Sequence, residues 1–395
     1  MGKALSSRVA AVVLLAAGAA SASVPDVIGL GARSAALAGT GVSYANGYEA
    51  TWLNPAGLVE APRARVTLGW VLGDPSLRLD GAARTVETTS GALIGAALPL
   101  PFTGALRERV ALGLGLYIPG RVLNRAHSPY PDVPRLALLE TRTQVVSALA
   151  SLSVRLTDRL SAGLGLEALA TLLGEIHLQP DAQGHIVSVT DERMVWATAP
   201  IAGLRARIAD SLRLGLTLRG ASAAGYDLRI TNSLGSTLPI GVPMLRLAGS
   251  AQYDPLQAQV EGSWAVREGL LLALGVTWKR WSELPLPTEN ATPRTPAQPP
   301  SGYHDTLVPR AALEATLPWQ FLRTQLRAGY LYESSPAPPD APVLVDAGRH
   351  VFSLGLGLDL GRAQLELFGA VHALAGSPRA QGRLLVGGAS LGLEL

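Results

Sequence analysis

The 395-residue chain has no cysteine, only two lysines (Lys3 and Lys279) and few charges of either sign. The missing cysteine excludes disulfides, thiolate zinc sites and thiol nucleophiles. The lysine shortage leaves arginine to carry almost all the basic charge. That charge is scattered rather than blocked, which argues against nucleic acid as a partner. Charged residues make up 16% of the chain, against about 25% in ordinary soluble domains. Past the first twenty residues no apolar run is long enough to cross a membrane as a helix. A chain this apolar must therefore bury an unusually large core or face lipid in a pattern that hydropathy windows miss.

The first residues read as a secretory signal peptide, 1–22. Lys3 and Arg8 precede the apolar run 9–20, and Ala20-Ser21-Ala22 offers small residues at a cleavage site. The run is too short to anchor as a spanning helix. An exported chain without disulfides suits a bacterial envelope.

Period two dominates the mature chain. In "LRLGLTL" (212–218) leucine takes every second position, and "FSLGLGLDL" (352–360), "VALGLGLYI" (110–118) and "LLLALGVTW" (270–278) repeat the arrangement. Alternation of this kind marks strands. The intervening residues are Gly, Ser, Ala and Thr with an occasional Arg or Glu, so one face is aliphatic and the other small and polar. That is the pattern of a barrel with lipid outside and a filled lumen inside. Strands are expected at about 64–72, 86–98, 109–118, 141–156, 159–172, 193–208, 211–228, 253–266, 269–281, 306–317, 322–333, 350–360, 362–373 and 382–395. Fourteen is an even number, as bacterial barrels of this kind require. Tight links at 157–158, 209–210, 267–268 and 361 alternate with long connections such as 119–140, 282–305 and 334–349. Trp70, Trp264, Trp278, Tyr330 and Tyr332 share the aliphatic phase, mostly near strand ends, where a lipid headgroup boundary favours them. A soluble β-sandwich is the rival, and the scarcity of surface charge disfavours it. The fold class is thus all-β: a transmembrane antiparallel barrel of about 14 strands.

The stretch "GLGARSAALAGTGVSYANGYEATWLNPAGL" (29–58) precedes the first strand and is rich in small residues. A barrel this wide leaks unless its lumen is occupied, and this segment is the natural occupant. It resembles the N-terminal hatch of the FadL/TodX family of outer-membrane transporters, whose hatch ends in Asn-Pro-Ala, here Asn54, Pro55 and Ala56. "WKRWSEL" (278–284) resembles the family's Trp-x-x-Trp-Ser segment. Arg327, Gly329, Tyr330, Ser335, Pro336, Asp346, Arg349 and His350 match its Arg-x-Gly-Tyr strand, Ser-Pro loop and Asp-x-x-Arg-His strand. The chain departs from the family in ending on Leu395 rather than an aromatic. The resemblance implies a signal peptide (1–22), a hatch (23–62) and a barrel (63–395) in the outer membrane of a Gram-negative bacterium. It also implies a monomer inserted by the barrel-assembly machinery into outer-membrane lipid, with long-chain fatty acids or other hydrophobic compounds passing by diffusion. A related barrel with a structural or secretion-associated role and no small-molecule cargo is the alternative.

No catalytic constellation stands out. The six histidines show no metal spacing, and no nucleophile elbow or phosphate loop appears. The expectation is a channel that is not an enzyme and holds no cofactor or metal. For a fatty acid the lumen needs an apolar slot and a cation for the carboxylate. Phase puts Glu167, Arg205, Glu261, Glu314 and Glu366 on the lumen side. Arg219, Lys279, Arg310 and Arg327 lie on it at mid-height or above and are the candidates for the carboxylate. The phase is testable. Leu216→Arg and Leu356→Arg should cost about 2–4 kcal/mol each by placing charge in lipid, whereas Gly215→Ser and Gly357→Ser should assemble almost normally. Recovery of membrane-inserted, heat-modifiable protein reads both pairs, and equal tolerance would reverse the assignment of faces.

Overall fold

A computed structural model describes residues 24–121, 133–139, 145–183, 185–233, 245–285, 300–319 and 322–395. The expected leader 1–22, strand residues 141–144 and parts of the long connections lie outside them.

Fourteen strands form one closed antiparallel ring. In chain order they are β1 (Arg65–Leu79), β2 (Thr89–Pro99), β3 (Val110–Pro119), β4 (Ser147–Arg155), β5 (Leu160–Pro180), β6 (Ile186–Arg207) and β7 (Leu212–Arg219). The second half comprises β8 (Gln257–Arg267), β9 (Leu270–Lys279), β10 (Thr306–Trp319), β11 (Leu322–Glu333), β12 (Gly348–Asp359), β13 (Ala363–Ala375) and β14 (Ala380–Glu394). Each pairs with its sequence neighbour. The seam closes where β1 meets β14, from Arg65↔Glu394 to Leu79↔Ala380. Among the described residues no barrel strand is left with an open edge, so the backbone groups of the ring can be paired without water. At the end of this seam Arg379 donates to both Asp80 oxygens, at 2.8 and 2.9 Å. Those hydrogen bonds hold the exposed Asp80 carboxyl below the usual carboxylate range.

The two faces separate as the alternation requires. Leu212, Leu214, Leu216 and Leu218 are exposed while Gly215, Thr217 and Arg219, on the alternate phase, are buried. Leu164 and Leu354 are 70% and 67% exposed, and similar leucines on the other strands make a continuous apolar belt. Trp70, Trp196, Trp264 and Tyr330 stand on the same outer face.

Four strand assignments differ most from the sequence reading. The expected strand 211–228 breaks after Arg219. Gly220 donates to the Pro200 carbonyl at 2.8 Å, and the chain leaves the ring as a hairpin, Ser222–Asn232 with Leu245–Asp254. β8 takes the vacated place, pairing Gln257↔Arg219. The hairpin lies parallel to the outer half of β5, from Tyr226↔Leu172 to Asn232↔Leu178. That half exists because β5 and β6 do not stop near 172 and 193: they remain paired out to Pro180↔Ile186. Beyond the lipid the strand face no longer needs to be aliphatic, so the alternation fades while the ladder continues. β1 likewise passes through Gly73-Asp74-Pro75-Ser76, a stretch with turn residues, and stays paired with β14.

The N-terminal segment lies inside the ring. It contains three short α-helices, α1 (Val24–Val27), α2 (Ala32–Ala36) and α3 (Ala50–Leu53), and a 3₁₀ helix, Pro55–Glu60. Its apolar side chains, among them Leu30, Ala36, Trp52 and Leu58, join the inward side chains of β1–β4 and β10–β14 in the main core. The end with long connections is roofed by a second cluster around Trp281, Leu138, Tyr303 and Leu344. There the short strands Arg135–Leu136 and Leu344–Val345 pair in parallel.

Candidate functional site

So little regular structure leaves the inner segment with many backbone groups that lack helical partners, and these must be paired elsewhere. The wall pairs them. Ser151 donates to the Thr51 carbonyl at 3.2 Å, Ser153 to Ala56 at 3.1 Å, Thr217 to Leu53 at 2.6 Å and Ser353 to Ala36 at 2.9 Å. Arg205 donates to the Ala45 carbonyl, Arg219 to Trp52 at 3.2 Å and Arg310 to Ala38 at 2.9 Å. In the opposite sense, Glu261 accepts from the Gly41 and Ser43 amides, both at 2.9 Å, and from the Ser43 hydroxyl at 2.7 Å. Gly39 fits here for two reasons. Its φ is +72°, and a Cβ would stand 2.5 Å from Arg310 Nη1.

Asn54, Pro55 and Ala56 form the tightest part of this seat. The Asn54 amide donates to the Val42 carbonyl at 2.7 Å and across to Leu204 of β6 at 2.9 Å. Its oxygen accepts from the Ala56 amide at 3.1 Å, capping the 3₁₀ helix whose first residue is Pro55. Asn54 thus ties the segment to itself and to the wall at once. The wall makes room with glycine: a Cβ on Gly203 would overlap Asn54 Oδ1, and one on Gly215 would overlap the Val42 carbonyl oxygen. This corrects the sequence-based expectation for Gly215→Ser. Strand phase alone treats it as harmless, but its cost falls on the seating of the segment.

Apart from Glu167, which accepts from Ser147 and Ser222, from Arg205, which pairs with Glu60, and from Glu261, two clusters hold most of the charged lumen residues. In the first, Arg33 of α2 makes a fork with Glu314, at 2.9 and 2.7 Å. Glu314 also accepts from Arg327 Nε at 2.7 Å, and Arg327 reaches Glu366 at 2.7 and 3.2 Å. Arg327 is therefore held between two carboxylates. In the second group Lys279 donates to Asp26 and to Glu333, each at 2.8 Å, and Glu333 is also held by Arg349. Arg219 lies 4.5 Å from the Trp52 ring centroid and donates to Gln257 at 2.8 Å. Of the four cations proposed from sequence, the structure brings Arg219, Lys279 and Arg310 around Asp26 and sets Arg327 apart.

A cavity lies between the segment and the wall in this second group. Arg219, Arg310, Arg349 and Asp26 line it together with Val27, Ile28, Leu30, Trp52, Leu331, Val351 and Val386. Its volume is about 40 Å³, room for about three waters. Sequence reasoning missed Glu333 and Arg349, although both continue the lumen phase of their strands by one step. It also missed Asp26 and Arg33, because an irregular segment has no period to show which side chains point where.

The seat yields a prediction. Asn54→Ala should loosen the segment by about 1–3 kcal/mol, the cost of buried partners left unpaired. Gly203→Ala should do the same by collision. Both variants should keep heat-modifiable barrels while the segment becomes susceptible to added protease; a segment as resistant as wild type in both would contradict the seat.

Solved barrels share the architecture. A Pseudomonas aeruginosa FadL homologue superposes with a TM-score of 0.62 at 14% identity, covering 92% of this chain and 98% of its own. The Pseudomonas putida toluene transporter TodX gives 0.60 at 15%, covering 92% and 97%, and the Ralstonia pickettii toluene transporter TbuX 0.58 at 15%, covering 92% and 98%. No curated protein matches the chain. The model of the outer membrane protein transport family (OMPP1/FadL/TodX) matches residues 10–367. With a closed fourteen-strand ring around an inner segment, the chain belongs to that family of outer-membrane transport proteins.

Proposed function

We propose that the protein is a diffusion channel, not an enzyme, that binds long apolar molecules bearing a carboxylate, such as long-chain fatty acids, and passes them toward the periplasm. The observation that carries this reading is the cavity against α1, where aliphatic and indole surface adjoins Arg219 and Arg310. Its lining offers apolar surface for a chain and a guanidinium for its head once α1 gives up its place there. Lys279 remains part of the same headgroup cluster through Asp26, whereas the double pairing of Arg327 suits it to holding the segment. Residues 24–60 act as the hatch: their seat closes the lumen, and cargo passes when part of that seat yields. The roof around Trp281 suits first capture of hydrophobic molecules at the cell surface. The short-turn end then faces the periplasm of a Gram-negative cell, and the signal peptide 1–22 is removed on export. A monomer surrounded by outer-membrane lipid, and inserted by the barrel-assembly machinery, completes this picture. The solved TodX and TbuX are toluene transporters; the arginines here favour an anionic head over a neutral aromatic.

Equilibrium binding to the purified protein tests this. Replacing Arg219 and Arg310 together with Gln should weaken a long-chain carboxylate by about 10–100-fold, the loss of hydrogen bonds to a charged group. The alcohol of equal length should bind nearly as before. A carboxylate affinity unchanged by the double substitution would contradict the assignment of the head site.

A further inference from the structure

The cations of the cavity already surround a carboxylate, and the chain itself supplies it. Asp26 Oδ2 lies 2.8 Å from Lys279 Nζ, and the two side chains are 2% and 0% exposed. Arg219, Arg310 and Arg349 line the same cavity as Asp26. Val27, Ile28 and Leu30, adjacent in sequence, line the same cavity and are buried in it. Residues 26–30 thus present one carboxylate followed by a short run of aliphatic surface. With α1 in place, the remaining space holds a few waters and no alkyl chain.

We propose that Asp26 is a tethered competitor: with its aliphatic neighbours it occupies the cargo's own position, and so makes the site selective for anionic amphiphiles over neutral hydrocarbons. This inference rests on the reading of the cavity as the cargo site. Its physical basis is charge balance. Arg219, Lys279, Arg310 and Arg349 are all buried, and Asp26 and Glu333 face them. Buried cations stripped of an anion are strongly destabilised. An incoming carboxylate that displaces Asp26 restores what it removes, because one anion leaves the cluster as another enters. A neutral hydrocarbon of the same length could fill the apolar part only by leaving the cations without that anion. Glu333 differs from Asp26 in being fixed on β11 and gripped by both Lys279 and Arg349. Asp26 instead sits on a four-residue helix, and Gly29, two residues beyond that helix's end, has φ +88°.

Laurate and dodecanol, titrated into the purified protein in a neutral detergent, separate the possibilities. Asp26→Asn should bind laurate at least 10-fold more tightly than wild type. Dodecanol, which then strips no anion from the cluster, should tighten with it, and Asp26→Glu should remain within a few-fold of wild type for both. Laurate affinity equal to or weaker than wild type in Asp26→Asn overturns the proposal, and so does a gain of the same size in Asp26→Glu, which keeps the carboxylate and would report a loosened segment instead. If laurate binds neither protein, the cavity reading itself fails and the proposal with it. The wild-type chain gives a second readout that needs no variant. Saturating laurate, but not dodecanol, should speed amide exchange in residues 24–31, and exchange unchanged by bound laurate overturns the competition.

Discussion

Backbone carbonyls of the inner segment, met by side chains of the barrel wall, are the contact on which the rest of this structure depends. A ring of fourteen strands satisfies its own hydrogen bonds. A loosely helical segment inside it cannot, and the lumen has no bulk water to satisfy them instead. Ser151, Ser153, Thr217, Ser353, Arg205, Arg219 and Arg310 close this deficit one carbonyl at a time. This explains the composition. The lumen phase supplies serine, threonine and arginine because its task is to hold a backbone. It is rich in glycine where the segment comes closest, as at Gly203 and Gly215.

The same contact divides the buried charges by use. Arg33, Glu314, Arg327 and Glu366 fasten α2 to β10, β11 and β13 with every guanidinium matched to a carboxylate. Lys279, Arg219, Arg310 and Arg349 instead converge where the segment contributes Asp26 and where the wall turns apolar. One cluster suits a joint, the other a place where one anion can replace another. Sequence phase puts these wall cations on one face, Arg349 just outside the expected strand, but it cannot sort them, because partners such as Arg33 and Asp26 lie on a segment without periodicity.

Much of the ring was legible for a simple reason. Lipid on one side and a packed segment on the other impose opposite demands on successive residues, so "LRLGLTL" declares both the strand and its faces. Legibility failed where one of those demands lapses. Outside the lipid, β5 and β6 lose their aliphatic alternation yet remain paired to Pro180↔Ile186. At Gly220 the chain keeps extended geometry while leaving the ring, and no local pattern marks the difference between Leu218 in the barrel and Leu228 in the hairpin. The Asn54-Pro55-Ala56 turn was visible as a motif, but its reach to the Leu204 carbonyl is a long-range fact. Asp26 was invisible, because its meaning lies wholly in what surrounds it.

Conductance across a planar bilayer tests the central claim most directly, comparing the intact protein with a variant lacking residues 24–60. If the wall-held segment is what closes a self-sufficient ring, the intact protein should be electrically silent and the variant should insert and conduct small ions steadily. Equal conductance from the two, or a variant that never forms a barrel, would contradict the account.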